Sequence, residues 1–144
     1  DEARVLKKAG LNVCFLERLS PWNNVLANDK AGIASDKVPN EKLRELGDCL
    51  GVEVQHQRLA GPGSLLSTTV VTNRGLLAYN ELSATELKRL ESIFKVRGLA
   101  GTSNMGVPFN ALGVVANSEG ALVGSLTSGF EVQKIFEALS GGGE

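Results

Sequence analysis

Val70-Val71-Thr72-Asn73 followed by Arg74-Gly75-Leu76-Leu77-Ala78 is an apolar run that meets a polar turn and leaves as a second apolar run. Asn tolerates left-handed geometry and caps its own turn, and Gly supplies the positive φ that closes a hairpin. The stretch therefore predicts two antiparallel strands joined by a tight turn. It occurs twice more. Val25-Leu26-Ala27-Asn28 leads to Gly32-Ile33-Ala34, and Val114-Val115-Ala116-Asn117 leads to Gly120-Ala121-Leu122-Val123. Asn28 to Asn73 is 45 positions and Asn73 to Asn117 is 44. A period of that size marks a repeat architecture.

A helical pattern follows each turn. In the first repeat Asn40 precedes Glu41, and Leu43, Leu46 and Leu50 share one face. In the second, Ser83-Ala84-Thr85-Glu86 reads as a capping box ahead of Leu87, Leu90 and Phe94. In the third, Ser128-Gly129-Phe130-Glu131 repeats that cap before Val132, Ile135, Phe136 and Leu139. The helix anchors keep the period, with 44 positions from Leu43 to Leu87 and 45 from Leu87 to Val132. Gly51, Lys95-Val96 and Gly141-Gly142-Gly143 are the expected stops, and Val52-Glu53-Val54 alternates as a strand would. The first residues read as the end of a helix, and Leu11-Asn12-Val13 then resembles Val52-Glu53-Val54. The expected organisation is a single repeat domain, with 1–19 the tail of a preceding unit and 20–62, 63–102 and 103–144 three full units. A hairpin with one covering helix cannot bury its apolar face alone, so neighbouring units must pack together.

Composition narrows the function. The 144 residues are 42% apolar with net charge −1, enough for one respectable core. No Lys/Arg run exceeds the pairs Lys7-Lys8 and Lys88-Arg89, which argues against nucleic acid as the main source of affinity. No apolar run approaches the roughly 20 residues of a membrane helix. The acidic, amphipathic first residues do not read as a signal peptide. Cys14 and Cys49 lack metal spacing or a disulfide framework and read as reduced core residues of a cytoplasmic protein.

In order and spacing the chain resembles the translation initiation factor 6 family, the ribosome anti-association factors of archaea and eukaryotes. The resemblance rests on Glu17-Arg18-Leu19-Ser20 with Asn24-Val25 and Asn28-Asp29; on Gly51-Val52-Glu53-Val54; on Val70 to Gly75; and on Ala100-Gly101-Thr102 running to Val114-Val115-Ala116-Asn117. The pattern Gly-Thr-x-Asn-x-Gly at Gly101 to Gly106, followed by Val107-Pro108-Phe109, looks like the archaeal branch. The resemblance implies a pentein-type β/α propeller, of which this chain would supply the C-terminal three-fifths as an open arc or truncated ring. Open ends would expose strand edges and favour self-association.

It also implies binding to the large ribosomal subunit, chiefly through a ribosomal protein near the sarcin-ricin loop. Joining of the small subunit would be blocked sterically, with a part in large-subunit biogenesis and no cofactor or metal. The implied contacts are Trp22 and Asn24, then Ser64, then Asn104, Met105, Gly106, Val107 and Pro108, from loops that enter each unit's first strand. Met105 stands where eukaryotic relatives usually carry arginine, and Trp22 reads equally as an interface anchor or as packing. Two alternatives remain. Pentein folds also host guanidine-modifying enzymes with a cysteine nucleophile, although the sole histidine, His56, sits in a polar strand and the last unit has no cysteine. A truncated self-assembling fragment without activity of its own is the other. Gly61-Pro62-Gly63-Ser64 lacks the lysine of a phosphate loop and reads as a turn between units.

Overall fold

The three hairpins close through side chains that cap their own turns, and these caps fix how the repeats superpose. In the computed structural model, which describes residues 1–59 and 66–141, Asn28 Oδ1 accepts from the N–H groups of Lys30 (3.0 Å) and Ala31 (3.1 Å). Thr72 Oγ1 accepts from Arg74 (3.1 Å) and Gly75 (3.2 Å), and Asn117 Oδ1 from Glu119 (2.8 Å) and Gly120 (3.0 Å). The N–H groups of Asn28, Thr72 and Asn117 in turn donate to the carbonyls of Ala31, Gly75 and Gly120. Thr72, not Asn73, is thus the counterpart of Asn28 and Asn117. A hydroxyl serves the same turn as an amide oxygen, so the sequence match slipped by one residue. Asn73 instead reaches across to the first hairpin, accepting from the Asp29 N–H (2.8 Å) and donating to its carboxylate (2.6 Å).

The hairpin glycines also differ from expectation. Among the described residues the positive-φ glycines are Gly10, Gly51, Gly106 and Gly141, so Gly32, Gly75 and Gly120 do not close their turns by left-handed geometry. Gly75 is needed for room, because a Cβ there would collide with the carbonyl oxygen of Ala138.

Chain order is α1 (Glu2–Lys8), α2 (Pro21–Asn24), β1 (Val25–Ala27), β2 (Gly32–Ala34), α3 (Asn40–Leu50) and β3 (Val54–His56). After a 3-10 turn at Leu66–Thr68 come β4 (Val70–Val71), β5 (Gly75–Ala78), α4 (Ala84–Phe94), β6 (Arg97–Ala100), α5 (Asn110–Gly113), β7 (Val114–Ala116), β8 (Ala121–Val123) and α6 (Gly129–Leu139). β2 pairs antiparallel with β1 and parallel with β3; β5 does the same with β4 and β6, and β7–β8 is an antiparallel pair. The capping boxes at Ser83/Glu86 and Ser128/Glu131 both form. Pro39 occupies the corresponding cap position of α3, without a side-chain bond. Gly51 and Lys95 end their helices in the left-handed conformation. The strand-like Leu11-Asn12-Val13 forms no strand.

Packing couples each of the first two sheets to the helix of the next repeat. Ile33 of β2 lies in one buried cluster with Leu76, Leu90 and Phe94 of the second repeat. Val70 and Leu77 of the second repeat lie with Ile135, Ala138 and Leu139 of α6. Ala34, Val38, Leu46 and Val54 make a third cluster, against which Cys14, Leu16 and Leu19 pack. Each fully buried Leu, Ile or Phe contributes roughly 1.5–3 kcal/mol of transfer free energy. Polar links follow the same seam: Asn28 Nδ2 donates to the carbonyls of Thr72 (3.1 Å) and Phe94 (3.0 Å).

The pentein-type propeller implied by the resemblance is not the architecture found. The described residues form a small mixed α/β fold of six α-helices and three separate sheets of three, three and two strands, with no ring closed. Strand hydrogen bonding stops within each repeat, and neighbouring repeats adhere through side chains and a few polar links. The expected unit boundary at 62/63, the Gly61 to Ser64 turn and Gly142-Gly143 lie outside the described residues.

Candidate functional site

The loop from Ser103 to Val107 is the most specifically built polar feature of the molecule. Asn104 (φ 48°), Met105 (φ 63°) and Gly106 (φ 91°) are three consecutive left-handed residues. For non-glycine residues this conformation costs roughly 1–2 kcal/mol each. A bridge between Ser103 and Val107 closes the loop, with the Val107 N–H donating to the Ser103 carbonyl (2.8 Å).

The carboxylate of Glu131 lies beneath it. Oε1 accepts from the Thr102 hydroxyl and the Gly106 N–H, both at 2.8 Å. Oε2 accepts from the N–H groups of Met105 (3.1 Å) and Ser128 (2.8 Å). The loop is thus an anion-binding concavity of backbone N–H groups whose anion is supplied by the chain itself. Glu131 is buried, and burial alone would raise its pKa. The N–H of Ser128, the hydroxyl of Thr102 and the N–H of Gly106 outweigh that and hold it down at about 2.

Asn104 completes the loop. Its N–H donates to Thr127 Oγ1 (3.2 Å), and its side chain fills space against Gly113 and Gly124, where a Cβ would clash. In the first repeat Asn24 and Ser35 occupy those two positions. The backbone bond from Ser35 N–H to Asn24 carbonyl recurs as Gly124 to Gly113. Behind the loop, Asn110 is buried and its amide donates to the carbonyls of Thr68 (3.2 Å) and Gly101 (3.0 Å).

The expected contact residues divide sharply. Met105 is 75% exposed at the crest of the loop, and Val107 and Gly106 are exposed beside it, while Pro108 and Asn104 are half-buried. Trp22 is exposed on α2. Asn24 is buried: its amide donates to the Ser20 carbonyl (2.8 Å) and its oxygen accepts from Ser35 Oγ (2.6 Å). α2, which carries Trp22, and α5, which follows the Met105 loop, both pack against the 3-10 turn. Ser64 lies outside the described residues.

Two groups escaped the sequence reading. Glu131 announced itself only as a capping residue, since Ser-x-x-Glu carries no sign of a second partner. Asn110 lies in no motif at all.

Remaining chemistry-bearing side chains are dispersed. His56 Nε2 is 2.8 Å from the Val38 carbonyl. The Cys14 thiol is pushed up to about 11 by burial and by its hydrogen bond and charge interaction with Cys49, a neighbour that sequence spacing did not reveal. No group of three or more His, Cys, Asp or Glu residues able to hold a metal occurs among the described residues. No helix among them is long and apolar enough to cross a membrane.

Comparison with known proteins places this geometry in a lineage. A family model described as the eIF-6 family matches residues 1–138. Translation initiation factor 6 of Pyrococcus abyssi is 47% identical over 117 residues, covering 81% of this chain and 52% of its own length. Its counterparts in Staphylothermus marinus and Picrophilus torridus are 37% and 35% identical, across 95% and 97% of this chain and 61% and 65% of their own lengths. The chain spans about half to two thirds of the length of the curated relatives it matches, and the C-terminal three-fifths expected from the resemblance is not borne out as a description of its place in them. With the match running through the hairpins, the capped helices and the Glu131 loop alike, the chain belongs to the eIF-6 family.

Proposed function

We propose that this chain binds the large ribosomal subunit and sterically prevents its association with the small subunit, with a part in large-subunit biogenesis in the cytoplasm. The observation that carries the reading is the Glu131-locked loop. It presents Met105 and Val107 on a backbone already fixed before any partner arrives, in a chain whose relatives are named translation initiation factor 6. Pre-organisation lowers the entropic cost of docking, and a steric block needs a complementary surface and slow release with no bond broken. Trp22, exposed on α2, is the second apolar anchor. Asn24 and Asn104 act by holding their loops, and Gly106 and Pro108 by shaping one.

A net charge of −1 and the absence of long basic runs favour a ribosomal protein, near the sarcin-ricin loop, over RNA as the chief contact. An enzyme reading requires a readily formed thiolate, whereas the Cys14 thiol is pushed the opposite way.

The test is cosedimentation with purified large subunits, with and without small subunits. The chain should pellet with free large subunits and be missing from joined ribosomes. Met105→Asp should weaken pelleting about tenfold or more, as loss of a central apolar anchor does. A folded chain that stays in the supernatant would overturn the proposal.

A further inference from the structure

The fold brings together two cysteines that stand 35 positions apart in the chain. Cys49 lies in the last turn of α3. Cys14 lies in the segment that packs along that helix, where Cys14, Leu16 and Leu19 lean on the cluster of Ala34, Val38, Leu46 and Val54. A polar bond fixes how the segment sits at the helix end, with Asn12 Nδ2 donating to the Cys49 carbonyl (3.3 Å). The two cysteine side chains are in hydrogen-bond contact with each other. Both are free thiols, both are half-buried, and both line one surface groove with Glu45 and Asp48. A small molecule can therefore reach the pair without unfolding the chain. No group of three or more His, Cys, Asp or Glu residues includes them as a metal site among the described residues, so the chemistry open to the pair is that of sulfur itself.

We infer that Cys14 and Cys49 form a reversible redox pair, whose disulfide staples residues 11–19 to the end of α3. The electron acceptor is a small-molecule disulfide such as oxidised glutathione. Cys49, having given its proton to solvent, attacks one sulfur of that disulfide, forms a mixed disulfide and releases one glutathione thiolate. That thiolate takes the Cys14 proton. The Cys14 sulfur then attacks Cys49 Sγ and expels the second glutathione, which recovers a proton from solvent. Two protein thiols are oxidised and one glutathione disulfide is reduced to two thiols. Cys14 is the second sulfur to act, because burial and the bond to Cys49 push its pKa up to about 11 and keep it protonated at neutral pH. Closing a loop of this length restricts the unfolded chain far more than the folded one, so the oxidised form is the more stable. In a reducing compartment such a bond is transient, which suits a sensor better than a permanent staple.

Titrating the folded chain with mixtures of reduced and oxidised glutathione at mildly alkaline pH tests this, read by intact mass and by maleimide labelling after acid quench. Both thiols should disappear together, with loss of two hydrogens and no glutathione retained, and dithiothreitol should restore them. The oxidised chain should keep its circular dichroism and unfold at a higher denaturant concentration. In concentrated urea the same titration should need a ratio of oxidised to reduced glutathione about tenfold higher or more, because unfolding separates the two sulfurs. Cys14→Ser should leave Cys49 carrying one glutathione, whereas Cys49→Ser should leave Cys14 almost unmodified. Thiols that titrate separately, glutathione retained on the wild type, a bridge between two molecules, or equal ease of oxidation in urea would each overturn the inference.

Discussion

Glu131 is the residue on which most of the candidate site depends. Four donors converge on its carboxylate, two of them N–H groups of left-handed loop residues. Replacing it by Gln leaves a similar shape but puts an NH2 group where an acceptor is needed. Glu131→Gln should lower stability by about 1–3 kcal/mol, read from chemical denaturation, and should loosen residues 102–106 in amide exchange. The sign of the pH effect follows from the pKa. Folding lowers it from 4.5 to about 2, so the stabilisation is complete above 4.5 and is lost as pH falls towards 2. Wild type should therefore lose its advantage over Glu131→Gln across that acid window, and the two should converge at its lower end. Cys14 shifts the other way: with its thiol pushed up to about 11, alkylation near pH 8 should be much slower than for a free thiol.

Among the elements, the three long helices form a natural comparison. α4 and α6 each start with a Ser-Glu capping box, whereas α3 starts at Pro39 with no side-chain cap. Ser83→Ala should cost about 1 kcal/mol by thermal or denaturant unfolding, because it strands the Glu86 N–H that Ser83 Oγ now accepts from. Pro39→Ser should leave stability unchanged or raise it by up to about 1 kcal/mol, since it adds a cap where none exists. The hairpins make a second comparison. Gly75→Ala forces a Cβ into the Ala138 carbonyl and should cost about 1–3 kcal/mol, while Gly120→Ala, facing open space, should not.

Across the whole molecule, the repeats hold one another through helix-on-sheet seams, so the most damaging truncations lie at the seams. Phe94→Ala should destabilise by roughly 3–5 kcal/mol, because Phe94 is fully buried between the first and second repeats. Leu122→Asp, at the position of β8 that corresponds to buried Leu77 but is itself exposed, should leave unfolding almost unchanged.

Local chemistry made much of this legible before any coordinates. Capping boxes at Ser83 and Ser128, the left-handed stop at Gly51 and the hairpin strands depend on residues within a few positions of one another, and the family resemblance rests on the order of those same motifs. Thr72 was misread because a hydroxyl and an amide make the same turn, and the adjacent Asn73 looked like the better match. Which residues of the candidate site are displayed and which are buried was decided only in three dimensions. Asn24 turns inward because Ser35, eleven residues away, offers it a hydroxyl, and Met105 stands out because Glu131, twenty-six residues on, holds its backbone. The propeller expected from the resemblance depended on contacts between repeats. Those are set by which faces find a partner, and a 44-residue period read along the chain cannot show that Ile33 and Leu77 are covered while Leu122 is exposed among the described residues.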